Sequence, residues 1–175
     1  MQEISREQYT DINLAAARSG NADAVDVEIL MGDEIIIPLI RGIHEAGVVV
    51  VGSSHEFEYT PLRQEMIKRF CKAQNMRCDI LKLAVMPQNK GDVMELLSAT
   101  EEMYKKYAHQ PLVTMSMGKL GAVSRLNGEL IGSSMTFGAV GETSAPGQIP
   151  LDELKEALKI IHRAVEEKRK REDQI

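Results

Sequence analysis

The sequence predicts an α/β fold built on a parallel sheet, and two observations support that prediction. Short apolar runs recur along the chain, and segments with helical periodicity lie between them. Strands that alternate with helices form parallel sheets joined by right-handed crossovers. A chain of 175 residues without a repeat, linker or low-complexity tract is the size of one domain. We therefore expect residues 1–175 to form a single α/β domain.

Five apolar runs are the predicted strands. Each is short, rich in aliphatic residues and bounded by residues that favour turns. They are Ala24–Leu30, Gly47–Gly52, Ile80–Met86, Pro111–Met117 and about Ser133–Val140.

The intervening segments are the predicted helices. Thr60 is a predicted N-cap because Pro61, which follows it, suits the first position of a helix. The last helix carries an apolar stripe of Leu154, Leu158, Ile161 and Val165. The predicted set is Arg6–Arg18, Asp33–Ala46, Pro61–Asn75, Asp92–Tyr107, Lys119–Leu130 and Leu151–Lys168.

Composition argues against several classes of partner. The net charge of −5 disfavours nucleic-acid binding, and the one dense basic run, 168–171, is flanked by acidic residues, as in a solvated helix end. No apolar stretch is long enough to cross a membrane, and no signal peptide is evident. Cys71 and Cys78 match no metal or redox spacing, so reduced thiols in the cytoplasm are expected.

Lys82 is the most informative residue because it interrupts the apolar run Ile80–Met86. Burial disfavours the ammonium form of lysine, so such a residue normally destabilises a strand. A desolvated, neutral amine is what Schiff-base chemistry with a carbonyl requires. A strand-end lysine whose head reaches water explains the residue equally well at this point.

Other polar residues are predicted beyond the carboxyl ends of the strands, where parallel-sheet enzymes place their chemistry. His55 follows the second strand, Ser116 ends the fourth, Arg125 lies between the fourth and fifth, and the segment 144–148 follows the fifth. An amine, an imidazole, a guanidinium and a polar loop could thus meet at one site. No glycine-rich dinucleotide or phosphate loop accompanies them.

Each of these residues also has a simpler interpretation. A single loop histidine such as His55 is more often a surface residue, although a neighbouring strand lysine favours an acid–base role. Arg125 is either a surface cation or a bidentate carboxylate clamp. Residues 144–148 contain Pro146-Gly147, a strong turn signal, so they form either a plain turn or a lid with Ser144 and Gln148 at its tip.

Six motifs, in order, resemble type I 3-dehydroquinate dehydratases, the Schiff-base enzymes of the shikimate pathway of aromatic amino acid biosynthesis. The resemblance runs from about Gln2 to about His162. The motifs are Val27-Glu28-Ile29-Leu30, Ser53-Ser54-His55-Glu56-Phe57, Lys82-Leu83-Ala84-Val85-Met86-Pro87-Gln88, Met115-Ser116-Met117-Gly118, Ser124-Arg125-Leu126, and Thr136-Phe137-Gly138-Ala139 with Ser144-Ala145-Pro146-Gly147-Gln148.

The resemblance implies a function and a role for each site residue. Lys82 would form an imine with the ketone of 3-dehydroquinate, and His55 would move protons during imine formation, dehydration and hydrolysis. Arg125 would hold the substrate carboxylate, while Ser144 and Gln148 would close over the ring. The product would be 3-dehydroshikimate plus water, with no metal or organic cofactor.

The resemblance also implies a (β/α)₈-barrel lineage, here as an incomplete barrel with about five parallel strands. A complete barrel takes ~250 residues, and Gln2–Ser5 aligns just after the third strand of the family. We therefore expect the first three strands to have no counterpart, together with the acidic residue that orients the family's histidine and several substrate-binding residues. Five strands cannot close a barrel, so a second copy in a homodimer or higher oligomer, or residues 1–20, would cover the open sheet.

Three functions follow from this incomplete resemblance. The chain is a dehydratase that takes its missing groups from a partner chain, a Schiff-base lyase retargeted to a related keto compound, or a catalytically silent binding or assembly module. Retention of Lys82, His55 and Arg125 favours the two enzymatic functions.

Overall fold

Four parallel strands form the central sheet of this computed structural model, which describes residues 4–143 and 145–172, without the side chains of 167–172. The strands occur in the spatial order β1-β2-β3-β4, the same as their order along the chain. They are β1 (Ala24–Glu28), β2 (Val49–Glu56), β3 (Ile80–Val85) and β4 (Leu112–Ser116).

Helices connect these strands, and capping explains where two of them begin. Ser5 and Gln8 form a reciprocal capping box at the start of the first helix, and Asn89 and Asp92 form another at the fourth. The helices are α1 (Arg6–Arg18), α2 (Asp33–Glu45), α3 (Arg63–Asn75) and α4 (Lys90–Lys106).

The two faces of the sheet have different characters. Side chains alternate between the faces along each strand. The face toward α1–α4 is the main hydrophobic core, in which Val27, Val50, Leu81 and Leu83 are fully buried. The opposite face carries a smaller apolar cluster around Ala84, Val113 and Met115, and it also carries the charged residues described below.

The second strand is longer than predicted, and the prediction that polar residues follow it is wrong. Ser53, Ser54 and His55 lie within β2, where they pair with Lys82, Leu83 and Ala84 of β3. Backbone pairing in a parallel sheet continues past the apolar run because a small serine is compatible with a buried strand. His55 is thus held by sheet hydrogen bonding rather than by a loop.

The predicted continuous strand Ser133–Val140 is also wrong. Ser133 makes one isolated parallel bridge to Leu112, while β5 (Gly138–Ala139) pairs instead with β6 (Ile149–Pro150) in a separate two-stranded sheet. Because the two ends of the segment pair with different strands, it does not add a fifth strand to the main sheet among the described residues.

Three helix predictions need correction. The fourth helix begins at Lys90 rather than Asp92, because Asn89 caps it and Asp92 is its third residue. The third helix begins at Arg63 rather than Pro61, because the hydroxyl of Thr60 donates a hydrogen bond to the carbonyl oxygen of Met86 instead of capping the helix. The predicted helix Lys119–Leu130 is a 3₁₀ helix, η1 (Leu120–Arg125), followed by a single turn, α5 (Gly128–Ile131).

The last helix, α6 (Leu151–Glu172), begins where predicted and extends further. None of the described helices is long and apolar enough to span a membrane.

Packing of α4 on the sheet generates a stability prediction. Leu96 is completely buried, whereas Met94 on the same helix is 62% exposed. Leu96→Ala removes packed methyl groups and leaves a cavity, so it should lower the free energy of unfolding by about 2–5 kcal/mol. Met94→Ala is the control and should change it by less than about 0.5 kcal/mol. Urea unfolding of both variants measures this, and equal losses would contradict the packing of α4.

Candidate active site

A cavity of about 340 Å³ lies against the concave face of the sheet, the face opposite α1–α4. Side chains from β2, β3, β4, η1 and the segment before β6 line it, so it lies where the main sheet meets the C-terminal part of the chain. The lining residues with titratable or amide side chains are His55, Lys82, Arg125 and Gln148.

Lys82 lies at the centre of this face, in the middle of β3. Its side chain is 13% exposed, and its Nζ lies 2.7 Å from Oδ2 of Asp26 on β1. The ammonium group also lies 5.7 Å from the ring centre of Phe137, within range of a cation–π interaction. Lys82 is therefore largely buried and lies beside the carboxylate of Asp26. The sequence alone did not predict that partner.

His55 lies near the end of β2 and is oriented by two neighbours. Its Nδ1 lies 2.8 Å from Oε2 of Glu28, and its ring stacks on that of Phe57 with 5.7 Å between the centroids. A carboxylate at Nδ1 favours the tautomer that carries a proton there, so Nε2 is left as a free base. The ring and the carboxylate are each about one quarter exposed.

Arg125 is buried at the end of η1, and β4 determines its position. The hydroxyl of Ser124 accepts a hydrogen bond from the amide of Ser116 and donates one to the carbonyl oxygen of Gly121. Gly121 is required there because a side chain at that position would overlap Ser116. These contacts hold η1 against the carboxyl end of β4, so the guanidinium group of Arg125 borders the cavity.

The guanidinium group of Arg125 makes one hydrogen bond among the described residues. It runs from Nη2 to the carbonyl oxygen of Pro146 at 3.4 Å, although the residue is only 1% exposed. Nε and Nη1 are buried without a partner among the described residues. Burial lowers the pKa of Arg125. A buried cation with free donors is suited to bind an anionic group.

The segment 145–148 packs over the cavity. The amide of Gly118 donates to the carbonyl oxygen of Pro146 at 3.1 Å, and Gly147 lies so close to Gly118 that a side chain there would overlap it. The side chain of Gln148 accepts a hydrogen bond from the amide of Ala145 at 3.3 Å. Ser144, the other predicted lid residue, lies outside the described residues.

The structure thus brings Lys82, His55, Arg125 and Gln148 to one cavity, and it adds two carboxylates that the sequence analysis missed. Asp26 and Glu28 contact Lys82 and His55, respectively. A signal for them was available, because residues two apart on a strand point to the same face and Asp26 and Glu28 alternate with buried valines in β1.

A second cavity, of about 500 Å³, lies on the other side of Arg125, between η1, α5 and α6. Its charged residues include Glu129, Lys159 and His162, and Nδ1 of His162 lies 3.0 Å from Oε1 of Glu129. No ion pair joins Lys159 to a carboxylate among the described residues, whereas Lys82 in the first cavity pairs with Asp26, so the first cavity is the better candidate for covalent chemistry.

Comparison with known proteins agrees with this geometry. Residues 1–165 match the family model described as type I 3-dehydroquinase. The 3-dehydroquinate dehydratase of Clostridioides difficile is 46% identical over 162 residues, which are 93% of this chain and 64% of that protein. The Salmonella typhimurium dehydratase is 46% identical over 163 residues, which are 93% of this chain and 65% of that protein. The chain therefore spans just under two thirds of the length of these relatives.

Solved structures show the same relationship. The crystal structure of the type I 3-dehydroquinate dehydratase from Clostridium difficile, with covalently modified comenic acid, superposes with a TM-score of 0.89 at 45% identity. The match covers 94% of this chain and 65% of that one. The enzyme from Geobacillus kaustophilus gives a TM-score of 0.88 at 38% identity, covering 92% of this chain and 62% of that one.

These comparisons determine the fold lineage and the family. The parallel α/β arrangement is that of a (β/α)₈ barrel, although the described strands do not close one. With its family-model match, its identity to the dehydratases and its superposition on them, the chain belongs to the type I 3-dehydroquinase family.

Proposed function

We propose that this chain is a hydro-lyase that converts 3-dehydroquinate to 3-dehydroshikimate and water through an imine on Lys82. The observation that supports this most directly is the meeting of Lys82, His55 and Arg125 at one cavity beneath residues 145–148. A neutral amine, a base and a carboxylate-binding cation are the three groups that an imine-forming dehydratase of a keto acid requires.

In the proposed reaction, the unprotonated Nζ of Lys82 attacks the ketone carbon to give a carbinolamine. His55 donates a proton to the carbinolamine hydroxyl, which leaves as water and gives a protonated imine. The imine withdraws electrons from the adjacent carbon, so a C–H bond there becomes acidic and His55 removes the proton. The resulting enamine expels the β-hydroxyl group, which leaves as water with a proton from His55. Hydrolysis of the imine then releases the enone and regenerates Lys82.

Proton transfer by His55 depends on its orientation. Glu28 at Nδ1 leaves Nε2 to accept and return protons. The proposed reaction needs both, because one proton is removed from carbon and one is donated to the departing hydroxyl group. The stacked ring of Phe57 limits rotation of the imidazole. His55 is therefore proposed as the general acid–base residue.

Arg125 is proposed to bind the substrate carboxylate. Two of its donors, Nε and Nη1, are buried without a partner among the described residues, and burial strengthens the attraction of the cation for an anion. The segment from Ser144 to Gln148 is proposed to close over the ring, since Pro146 already contacts Arg125 and Gln148 lines the cavity.

We further propose that residues 1–175 act as a single domain in the cytoplasm. One hydrophobic core joins α1–α4 to the sheet, which supports a single folding unit. Cys71 and Cys78 are both free thiols, as is usual in a reducing compartment.

A second copy of the chain is proposed to cover the open sheet. Among the described residues β1 pairs with β2 alone, and Val49 on the concave face is 39% exposed. An unpaired strand edge beside apolar surface favours association, and a symmetric dimer is the commonest form of it.

Borohydride trapping tests the imine. Reduction in the presence of 3-dehydroquinate should add the mass of the reduced substrate adduct to the peptide that contains Lys82. Lys82→Ala should show neither the adduct nor the ultraviolet absorbance of the enone product. Lys72→Ala is the matched control, because Lys72 forms an equally short ion pair, with Asp33 at 2.7 Å, away from the cavity. Absence of an adduct on Lys82 would contradict the proposed chemistry, and an adduct without turnover would favour a retargeted lyase.

Arg125→Met tests the carboxylate clamp through opposite effects on stability and on binding. Removal of buried, unpartnered donors should raise the free energy of unfolding by about 1–3 kcal/mol, while KM for 3-dehydroquinate should rise roughly tenfold or more. Arg69→Met is the control: the side chain of Arg69 is 11% exposed and pairs with Glu56 and Glu65, so its loss should lower stability. A loss of stability in Arg125→Met as large as in Arg69→Met would contradict the presence of unpartnered donors on Arg125.

Sedimentation velocity over a range of concentrations tests the proposed dimer. We expect a monomer–dimer equilibrium, shifted toward monomer by Val49→Lys because a charge on the concave face opposes burial. Leu62→Lys is the control, since Leu62 is 79% exposed and lies outside the concave face. A wild-type chain that stays monomeric at the highest concentrations would exclude the dimer.

A further inference from the structure

Two carboxylates on β1 contact the two residues that would carry the chemistry. Oδ2 of Asp26 lies 2.7 Å from Nζ of Lys82, and Oε2 of Glu28 lies 2.8 Å from Nδ1 of His55. We propose that Asp26 and Glu28 are positioning residues, Asp26 for the amine of Lys82 and Glu28 for the imidazole of His55. The proposal rests on the proposed function for its catalytic meaning, although the contacts can be tested without substrate.

The sheet register brings these pairs together. Asp26 pairs with Val51 and Glu28 with Ser53, while Ser53 pairs in turn with Lys82 of β3. Lys82 therefore reaches across β2 to a carboxylate two strands away, a distance of about 10 Å between strands. Ser53 is fully buried beside this path, and its small side chain leaves room for the lysine to cross.

Tyr9 of α1 holds the outer edge of β1 where the carboxylates project. Its hydroxyl oxygen accepts a hydrogen bond from the amide of Glu28 at 2.9 Å, which satisfies a donor at the strand edge. Burial, with a smaller effect from the charges of Asp26 and Glu28, raises the pKa of Tyr9, so its hydroxyl stays protonated. The backbone that carries Glu28 is thereby fixed from α1 as well as from β2.

The two contacts have different chemical consequences. Glu28 accepts a hydrogen bond from Nδ1–H of His55 and so favours the tautomer of the neutral ring whose Nε2 can accept a proton. Asp26 stabilises the positive charge on Nζ of Lys82, and the protonated imine carries a positive charge on the same atom. One carboxylate would thus stabilise both the resting ammonium ion and the cationic intermediate.

The charged groups that face the site come from several elements. They are Asp26 and Glu28 from β1, His55 from β2, Lys82 from β3 and Arg125 from η1. Among the described residues, Asp26 and Glu28 are the anions in direct contact with Lys82 and His55. Arg125 forms an ion pair with neither of these carboxylates and donates through Nη2 to Pro146.

The first experiment measures the extent of acetylation of Lys82 by acetic anhydride at one fixed pH, read by mass spectrometry. Asp26→Asn keeps the shape of the side chain but removes the anion that pairs with Nζ, so labelling of Lys82 should rise about twofold or more. Asp33→Asn is the matched control: it should raise the labelling of its own partner Lys72 and leave that of Lys82 unchanged. Unchanged labelling of Lys82 in Asp26→Asn overturns the role of Asp26.

The second experiment determines the tautomer of His55 from its ¹⁵N NMR shifts. Glu28→Gln should convert a predominantly Nδ1–H ring into a mixture, while Glu129→Gln, which removes the same contact from His162, should leave His55 unchanged. Tyr9→Phe is a second, milder variant that should shift His55 in the same direction as Glu28→Gln, by a smaller amount. An unchanged His55 in Glu28→Gln overturns the role of Glu28.

Kinetics separate this inference from the proposed function. If the chain dehydrates 3-dehydroquinate, Asp26→Asn should lower kcat about tenfold because the cationic imine loses its anion, and Glu28→Gln should lower kcat about tenfold or more, each with a smaller change in KM. If no variant turns the substrate over, the proposed function fails, whereas the labelling and tautomer results still decide the two positioning roles.

Discussion

The parallel pairing of β2 with β3 is the constraint on which the candidate site depends. It places Ser53 beside Lys82 and His55 beside Ala84 on one face, while Leu81 and Leu83 enter the main core on the other. A slip by one residue would bury the amine among the helices and expose the leucines, so the hydrophobic core and the site specify the same register. Lys82 and His55 are therefore positioned by the packing and pairing of the strands rather than by loops.

The site concentrates groups that weaken the fold. Arg125 is almost completely buried with two unused donors, and Ser53 is fully buried without a hydrogen-bond partner for its hydroxyl among the described residues. Buried polar groups without partners destabilise a protein, and they persist where binding or catalysis uses them. In contrast, the side chain of Arg69 is partly buried, at 11% exposed, and it pairs with Glu56, Glu65 and Ser54, so it supports the structure.

Sequence patterns predicted the order of the main elements, because that order depends on local periodicity. Motifs selected Lys82, His55 and Arg125 as candidates, and the structure brings these three residues to one cavity. Sequence patterns failed where pairing between distant segments decides the structure. Residues 53–55 join β2 because β3 offers hydrogen-bonding partners, and residues 133–140 divide between β4 and β6 instead of forming one strand. Thr60 does not cap the third helix as predicted, because its hydroxyl donates a hydrogen bond to the carbonyl oxygen of Met86. The local sequence does not reveal that contact.

The acidic partner of His55 shows how a site can be completed from within a partial barrel. The resemblance places the orienting acid of the family in a region with no counterpart in this sequence, yet Glu28 reaches Nδ1 from β1, the strand adjacent to β2. Glu28 belongs to the motif Val27-Glu28-Ile29-Leu30, but a motif does not show which atoms are in contact. Since Asp26 and Glu28 share one face of one strand, the same element orients both the amine and the imidazole.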